Sequence, residues 1–262
     1  MPKALLFLCV FCFLVSGALA EYSCDEDRCN DYKLGIGGFY GWHHTSMHDM
    51  DSKGVYLSTL VRRWTQKYGF NWNAKFGFLK TDVRKNATDS VIAYDEDRFS
   101  ASGAYLDSYL SFGKNLNSLQ NPVFLEAVVG GNFYIFNERY GLPQSNLLTI
   151  GVGISGIKML SESLAFEYAL HYGYGFYGFY TYSIEYGYNR KSVLNPNNHE
   201  LRVSIGLHRN KVYGFYTKLN FIFQRLDSAA SVLNRYNVSS SYPHSTWFNC
   251  MLEFGFGFNQ WL

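Results

Sequence analysis

Beyond its first twenty residues the chain has no apolar run long enough for a membrane-crossing helix, which needs about 20 residues. Any bilayer crossing by the rest of the chain must therefore use a closed barrel, the other structure that satisfies the backbone in lipid. Proline is scarce, at 5 residues against 24 glycines, and charged residues make up only 17%. The formal net charge of +2 leaves no electrostatic footprint for nucleic acid. Cysteine is limited to five, and no Cys/His spacing matches a zinc site. Gly35-Ile36-Gly37-Gly38 lacks the Lys-Ser/Thr ending of a phosphate loop. The sequence thus leads us to expect no metal, no cofactor and no nucleic-acid partner.

What is present begins with an export signal. Lys3 supplies a positive start, Ala4–Val15 is apolar, and Gly17-Ala18-Leu19-Ala20 ends as a small-x-small cleavage site. We expect a cleaved signal peptide over 1–20 and a single domain over 21–262. Cys9 and Cys12 would leave with the signal. Glu21-Tyr22-Ser23 before Cys24 does not provide the small-residue pair of a lipoprotein site. Cys24 and Cys29 flank a short acidic segment, and an oxidising compartment permits a disulfide between them. Cys250 falls on the aromatic parity of the last strand, where a lipid-facing filler is expected.

Aromatics reach 19%, with 22 Tyr and 22 Phe, as membrane-interface girdles require. They alternate with polar or small residues. Phe248, Cys250, Leu252, Phe254, Phe256 and Phe258 stand at every second position, and so do Tyr68, Phe70, Trp72, Ala74, Phe76 and Phe78. Period two is the signature of a strand with one apolar face. Similar rows run through Leu148–Ile154, Leu164–Leu170, Tyr180–Tyr188, Leu201–Leu207 and Tyr213–Phe223. Further strands are expected over Tyr32–Trp42, Val55–Trp64, Ser100–Phe112 and Val123–Phe136. The count predicts an all-β fold, a single antiparallel transmembrane β-barrel of about 10–12 strands. Connections near Lys158–Glu162 and His208–Lys211 read as tight. Those near His43–Lys53, Thr81–Arg98 and Leu226–Thr246 read as long polar loops on the outer side.

Lys75, Glu126, Glu167, His171, Glu185, Arg202, Lys218 and Glu253 take the parity opposite the apolar rows. A Lys or Arg facing lipid at mid-membrane costs about 2–4 kcal/mol, so these residues are expected to form a charged network in the lumen. A soluble sandwich also segregates charge, but it does not require outward rows so uniformly aromatic.

With signal, amphipathic strands and terminal Phe-rich strand together, the chain resembles small Gram-negative outer-membrane barrel proteins. Its aromatic, Asn- and Tyr-rich style is similar to Helicobacter-type outer-membrane families. Glu253, Gly255 and Phe258 fit the carboxy-terminal assembly signal of the class, whereas Gln260-Trp261-Leu262 departs from its aromatic ending. The resemblance implies location in the outer membrane as a monomer. It also implies contact with outer-membrane lipid and lipopolysaccharide, and with the barrel-assembly machinery during insertion.

The densest polar cluster is His43-His44-Thr45-Ser46-Met47-His48-Asp49-Met50-Asp51. Imidazoles and carboxylates this close can bind a divalent metal, although a loop does not guarantee the ligand geometry, or can serve as base and orienter. His43, His44, His48 and Asp49 are therefore the catalytic candidates for a barrel hydrolase acting on lipid or peptide. Glu167 with His171, on one strand, is a second acid–base pair, and His244-Ser245 lacks a third member. Asn86-Ala87-Thr88 and Asn237-Val238-Ser239 match the glycosylation pattern by chance in a bacterial protein. The leading functional expectation is a narrow passive channel or a surface-exposed structural or adhesive protein, with the hydrolase as alternative.

Overall fold

The computed structural model describes residues 24, 27–86, 98–136, 144–185, 188–209, 214–233 and 239–258. The expected signal over 1–20, Ala87-Thr88 and Asn237-Val238 of the two acceptor motifs, the Gln260–Leu262 tail and the side chain of Glu185 lie outside the described residues.

The alternating rows become long antiparallel strands: β1 (Arg28–Thr45), β2 (His48–Thr65), β3 (Tyr68–Lys85), β4 (Arg98–Asn115), β5 (Val123–Phe136), β6 (Gln144–Ser161), β7 (Leu164–Glu185), β8 (Tyr188–Val193), β9 (Asn198–Arg209), β10 (Gly214–Leu226), β11 (Val232–Leu233), β12 (Ser239–Ser240) and β13 (Ser245–Phe258). Each neighbour pairs in sequence from β1 to β7. The sheet continues β7–β9–β10–β13 and closes when β13 pairs with β1. β8 pairs only with the upper part of β7, and β11 with β12 forms a separate ribbon. Ten strands therefore make the closed wall.

One end, here the lower, carries the described amino terminus and short connections such as Gln66–Lys67 and Glu162–Ser163. The upper end carries the long segments after β3 and β10. The connection at His43–Lys53 is a correction to the sequence reading. It is not a loop: β1 and β2 run through it and turn at Ser46-Met47, where Thr45 Oγ1 accepts the backbone N–H of Met47 (3.1 Å) and His48 (3.0 Å). Its polarity reflects strand residues that rise above the apolar belt.

That belt is continuous around the wall. Phe254, Ile36, Leu57, Phe76, Leu106 and Phe133 lie directly opposite one another from strand to strand, all on the outward face. Ile36 is 60% exposed and Phe254 53%, the reverse of a water-soluble surface. On β2 the belt runs from Val55 to Val61 and is bounded by outward Lys53 and Arg63. Cys250 is a free thiol on the outward parity of β13.

Inward residues fill the lumen. Small residues on one strand make room for large ones on the next: a side chain at Gly37 would collide with the ring of Tyr56, and one at Gly35 with the hydroxyl of Tyr216. The row expected at Tyr180–Tyr188 needs correction, because Tyr180 is fully buried inside. An extra residue at Phe176, where Leu148 pairs with Tyr177 but Thr149 with Gly175, bulges β7 and inverts its parity above that point.

Candidate functional site

The interior is built in three layers. The lowest is apolar: Trp64, Phe124, Ile157 and Ala165 pack with Cys29, with Leu119 packed against them from the connection beneath. Trp64 Nε1 donates to the Leu119 carbonyl at 2.8 Å. Cys24 and Cys29 are joined by a disulfide here.

The middle layer is charged. Arg202 donates through Nη1 to Asp107 (2.8 Å) and through Nε and Nη2 to Glu200 (2.5 and 3.1 Å). Lys75 lies 3.6 Å from Asp107, and Gln224 donates to Glu200 at 2.6 Å. Tyr216 donates to Glu253 at 2.7 Å and Tyr56 at 3.3 Å, and Lys218 sits opposite Glu253 across the β10–β13 pair. Below them Lys33 bridges Glu167 and Asp31, Arg62 approaches both at 3.7 Å, and His208 Nδ1 meets Glu167 at 2.5 Å. These groups are all buried. Buried charge is tolerable only when paired and hydrogen-bonded; Arg202 meets that condition fully, whereas Arg62 is held by its 3.7 Å ion pairs, with its Nη1 and Asp31 Oδ2 lacking a hydrogen bond among the described residues. A cavity of about 10 Å³ beside Lys75, Tyr109, His171 and Arg202 has room for about one water.

The upper layer is aromatic. Trp247 stacks on Tyr134 at 4.6 Å and on His43 at 3.9 Å, Tyr105 meets Tyr134 at 5.0 Å, and Tyr180 meets Tyr242 at 4.2 Å. Phe39, Met50, Leu79, Leu147 and Met251 complete it.

Of the expected lumen residues, Lys75, Glu126, Glu167, His171, Arg202, Lys218 and Glu253 all point inward and are buried. The Glu167–His171 pair does not form. Four residues along one strand separate them by about 13 Å, and His171 instead meets Glu126 at 3.3 Å while Glu167 serves Lys33, Arg62 and His208. Sequence reasoning missed Asp31, Lys33, Arg62, Asp107, Glu200 and His208. Their inward parity was available, but apolar neighbours on the same face, such as Leu60 and Trp64 beside Arg62, masked it.

The His43–Asp49 cluster is divided by strand alternation. His43 and His48 face inward, His44 and Asp49 outward. His43 is 1% exposed, and among the described residues neither ring nitrogen has a hydrogen-bond partner. His48 Nε2 shares a hydrogen bond with the Tyr242 hydroxyl at 2.8 Å. Both lie above the belt, and burial pushes His48 down to about 4, so it is neutral at pH 7. Outside, His44 meets Asp49 at 2.5 Å and Arg84 donates to Asp49 at 3.1 Å. Partial burial works to raise the Asp49 carboxyl, but the hydrogen bonds from His44 and Arg84 hold it below the ordinary carboxylate value. At the rim, His244 lies 3.0 Å from Asp227, whereas Ser245 turns inward to the Tyr180 hydroxyl. The four catalytic candidates therefore do not converge, and among the described residues no group of three or more His, Cys, Asp or Glu could hold a metal ion.

No protein-family model matches the chain, and no curated protein matches it in sequence. Among solved structures, the outer-membrane protease OmpT of Escherichia coli aligns with a TM-score of 0.59 at 10% identity, over 90% of this chain and 97% of that one. The outer-membrane protein OprG of Pseudomonas aeruginosa aligns at a TM-score of 0.41 and 9% identity, over 94% of this chain and 99% of that one. Both are Gram-negative outer-membrane barrels, and the first likeness is one of fold alone.

Proposed function

We propose that this protein is a monomeric outer-membrane barrel whose interior is packed shut, and that it serves as a surface-exposed structural or adhesive protein. The observation that carries this reading is the three-layer filling of the lumen. A conducting barrel needs a continuous wet path, whereas here an aromatic layer, an ion-paired layer and an apolar layer follow one another along the axis. The exposed belt supports placement in a bilayer, and the short lower turns support an orientation with that end in the periplasm. On this reading the first twenty residues are a signal removed on export, and the barrel-assembly machinery completes insertion. The hydrolase alternative loses support because His43 and His48 face away from His44 and Asp49.

The test is conductance of the purified protein in a planar bilayer, together with binding of intact cells to abiotic and host surfaces. We expect no steady conductance from a membrane-extracted, heat-modifiable barrel, and reduced surface binding when the chain is deleted. Stable single-channel steps from the wild type would refute the packed-shut reading.

A further inference from the structure

The outward residues just below the belt are mostly cationic. Arg28, Arg63, Lys67, Lys114, Lys158 and Arg209 are all exposed there, while the exposed acids at this end among the described residues are Asp27 and Glu162. No carboxylate among the described residues pairs with Arg63, Lys67, Lys114, Lys158 or Arg209. The opposite end differs: Arg84 is paired with Asp49, and outward Asp51 and Asp82 stand among Lys53, Lys80 and Arg98. A ring holding Arg63, Lys67, Lys114, Lys158 and Arg209 at one edge of an apolar belt calls for an anionic layer at that level.

The ring is concave at one place. A groove of about 590 Å³ on the outside of β1–β4 is lined by Arg28 and Arg63 together with Tyr32, Tyr68, Phe70 and Phe112. Arg63 Nε donates to the Tyr32 hydroxyl at 2.8 Å, and its guanidinium lies 5.8 Å from that ring. Arg63 stands directly opposite Phe70, Phe70 opposite Phe112, and Lys114 opposite Tyr68, which stacks on Phe112 at 5.8 Å. Cations thus line the outer margin and aromatic faces the inner one. A guanidinium fixed by one hydrogen bond keeps further donors for a phosphate, and the aromatic faces suit the first carbons of an acyl chain.

We propose that this groove binds an anionic glycerophospholipid, its phosphate on Arg63 with Lys67 and Lys114 flanking it beside Tyr68, and its chains along Phe70 and Phe112, with the remaining cations holding the same leaflet around the barrel. The proposal rests on the membrane placement argued above and adds a lipid class and a site to it.

The test uses full-length protein extracted from membranes in detergent and titrated with phosphatidylglycerol or with phosphatidylcholine of the same acyl chains. Retained lipid is read by native mass spectrometry. The wild type is expected to retain phosphatidylglycerol in preference, with the preference falling about fivefold for each cation removed in Arg63→Gln and in the double variant Lys67→Gln/Lys114→Gln. The lysine pair makes no side-chain hydrogen bond among the described residues, so its loss separates charge from folding. Lys53→Gln/Lys80→Gln, at the other edge of the belt, should leave the preference unchanged. Equal retention of the two lipids, a wild-type preference in Lys67→Gln/Lys114→Gln, or an equal fall in Lys53→Gln/Lys80→Gln would each overturn the site. So would competition by soluble glycerophosphoglycerol as strong as that of the lipid. A chain recovered only from the soluble fraction overturns the membrane placement itself, whereas a membrane-extracted barrel without lipid preference overturns the groove alone.

Discussion

Replacing Arg202 by methionine removes the cation at the centre of the buried charge layer while keeping most of its length. Three charge-assisted contacts go with it, one to Asp107 and two to Glu200. Each such bond contributes about 1.5–3 kcal/mol, so the gross loss is large, but burying the guanidinium has its own desolvation cost, which the variant escapes. The two carboxylates also keep partial support: Lys75 at 3.6 Å from Asp107, and Gln224 at 2.6 Å from Glu200. The net expectation is the lower end of the range for breaking a buried pair, about 3 kcal/mol. That corresponds to roughly a hundredfold in the folding equilibrium, or about 6–12 °C in unfolding midpoint for a chain of this size. The assay is the temperature at which the compact unboiled gel band converts to the unfolded position in detergent. Because the loss stems from stranded carboxylates, the triple variant Arg202→Met/Asp107→Asn/Glu200→Gln should recover most of the shift. An Arg202→Met protein with the wild-type midpoint, or a triple variant no better than the single one, would refute the reasoning.

Ile36→Arg places a cation in the outward belt, where hydrocarbon makes it cost about 2–4 kcal/mol; on a water-exposed surface the same change stays within about 0.5 kcal/mol, and the midpoint in lipid vesicles decides between them. Asp49→Asn removes a rim carboxylate whose folded-state pKa is held down by His44 and Arg84. Its contribution is therefore present at neutral pH and lost as the pH falls through the folded-state pKa, so the variant should unfold about 0.2–1 kcal/mol more readily at pH 7 and converge on the wild type in acid-titrated melts once that carboxyl is protonated in the folded state. Cys24→Ser/Cys29→Ser should lower the midpoint by the equivalent of about 2 kcal/mol under oxidising conditions, and reductant should bring the wild type to the same value.

The architecture was legible because lipid keeps charge off the outward face at mid-strand: Phe254, Ile36 and Phe76 are apolar, and their period of two marks the strand. What was not legible is where the lumen stops being polar. Tyr56, Tyr105, Tyr134 and Trp247 obey the same alternation as Lys75 and Glu253, but their side chains are apolar enough to suit either face. Near Tyr180 the bulge at Phe176 reversed the phase, and an extra residue leaves no mark in a run already rich in Tyr, Phe and Gly. The histidine cluster misled for a different reason. Proximity in sequence is not proximity in a strand, where neighbours point apart, so His43 and His44 went to opposite sides of the wall.

The seam between β1 and β13, from Tyr32 opposite Phe258 to Thr45 opposite Ser245, joins the first and last strands of the wall. Until β13 exists, the edge of β1 offers a row of unpaired backbone donors and acceptors to any passing strand. No hairpin made earlier can relieve it, because each new strand pairs with its predecessor and leaves the first one open. Closure is thus a late, non-local event, and topologies of that kind fold slowly. From the first strand to the last, the growing sheet has to be kept from its neighbours, and the time that takes is set by the length of the chain.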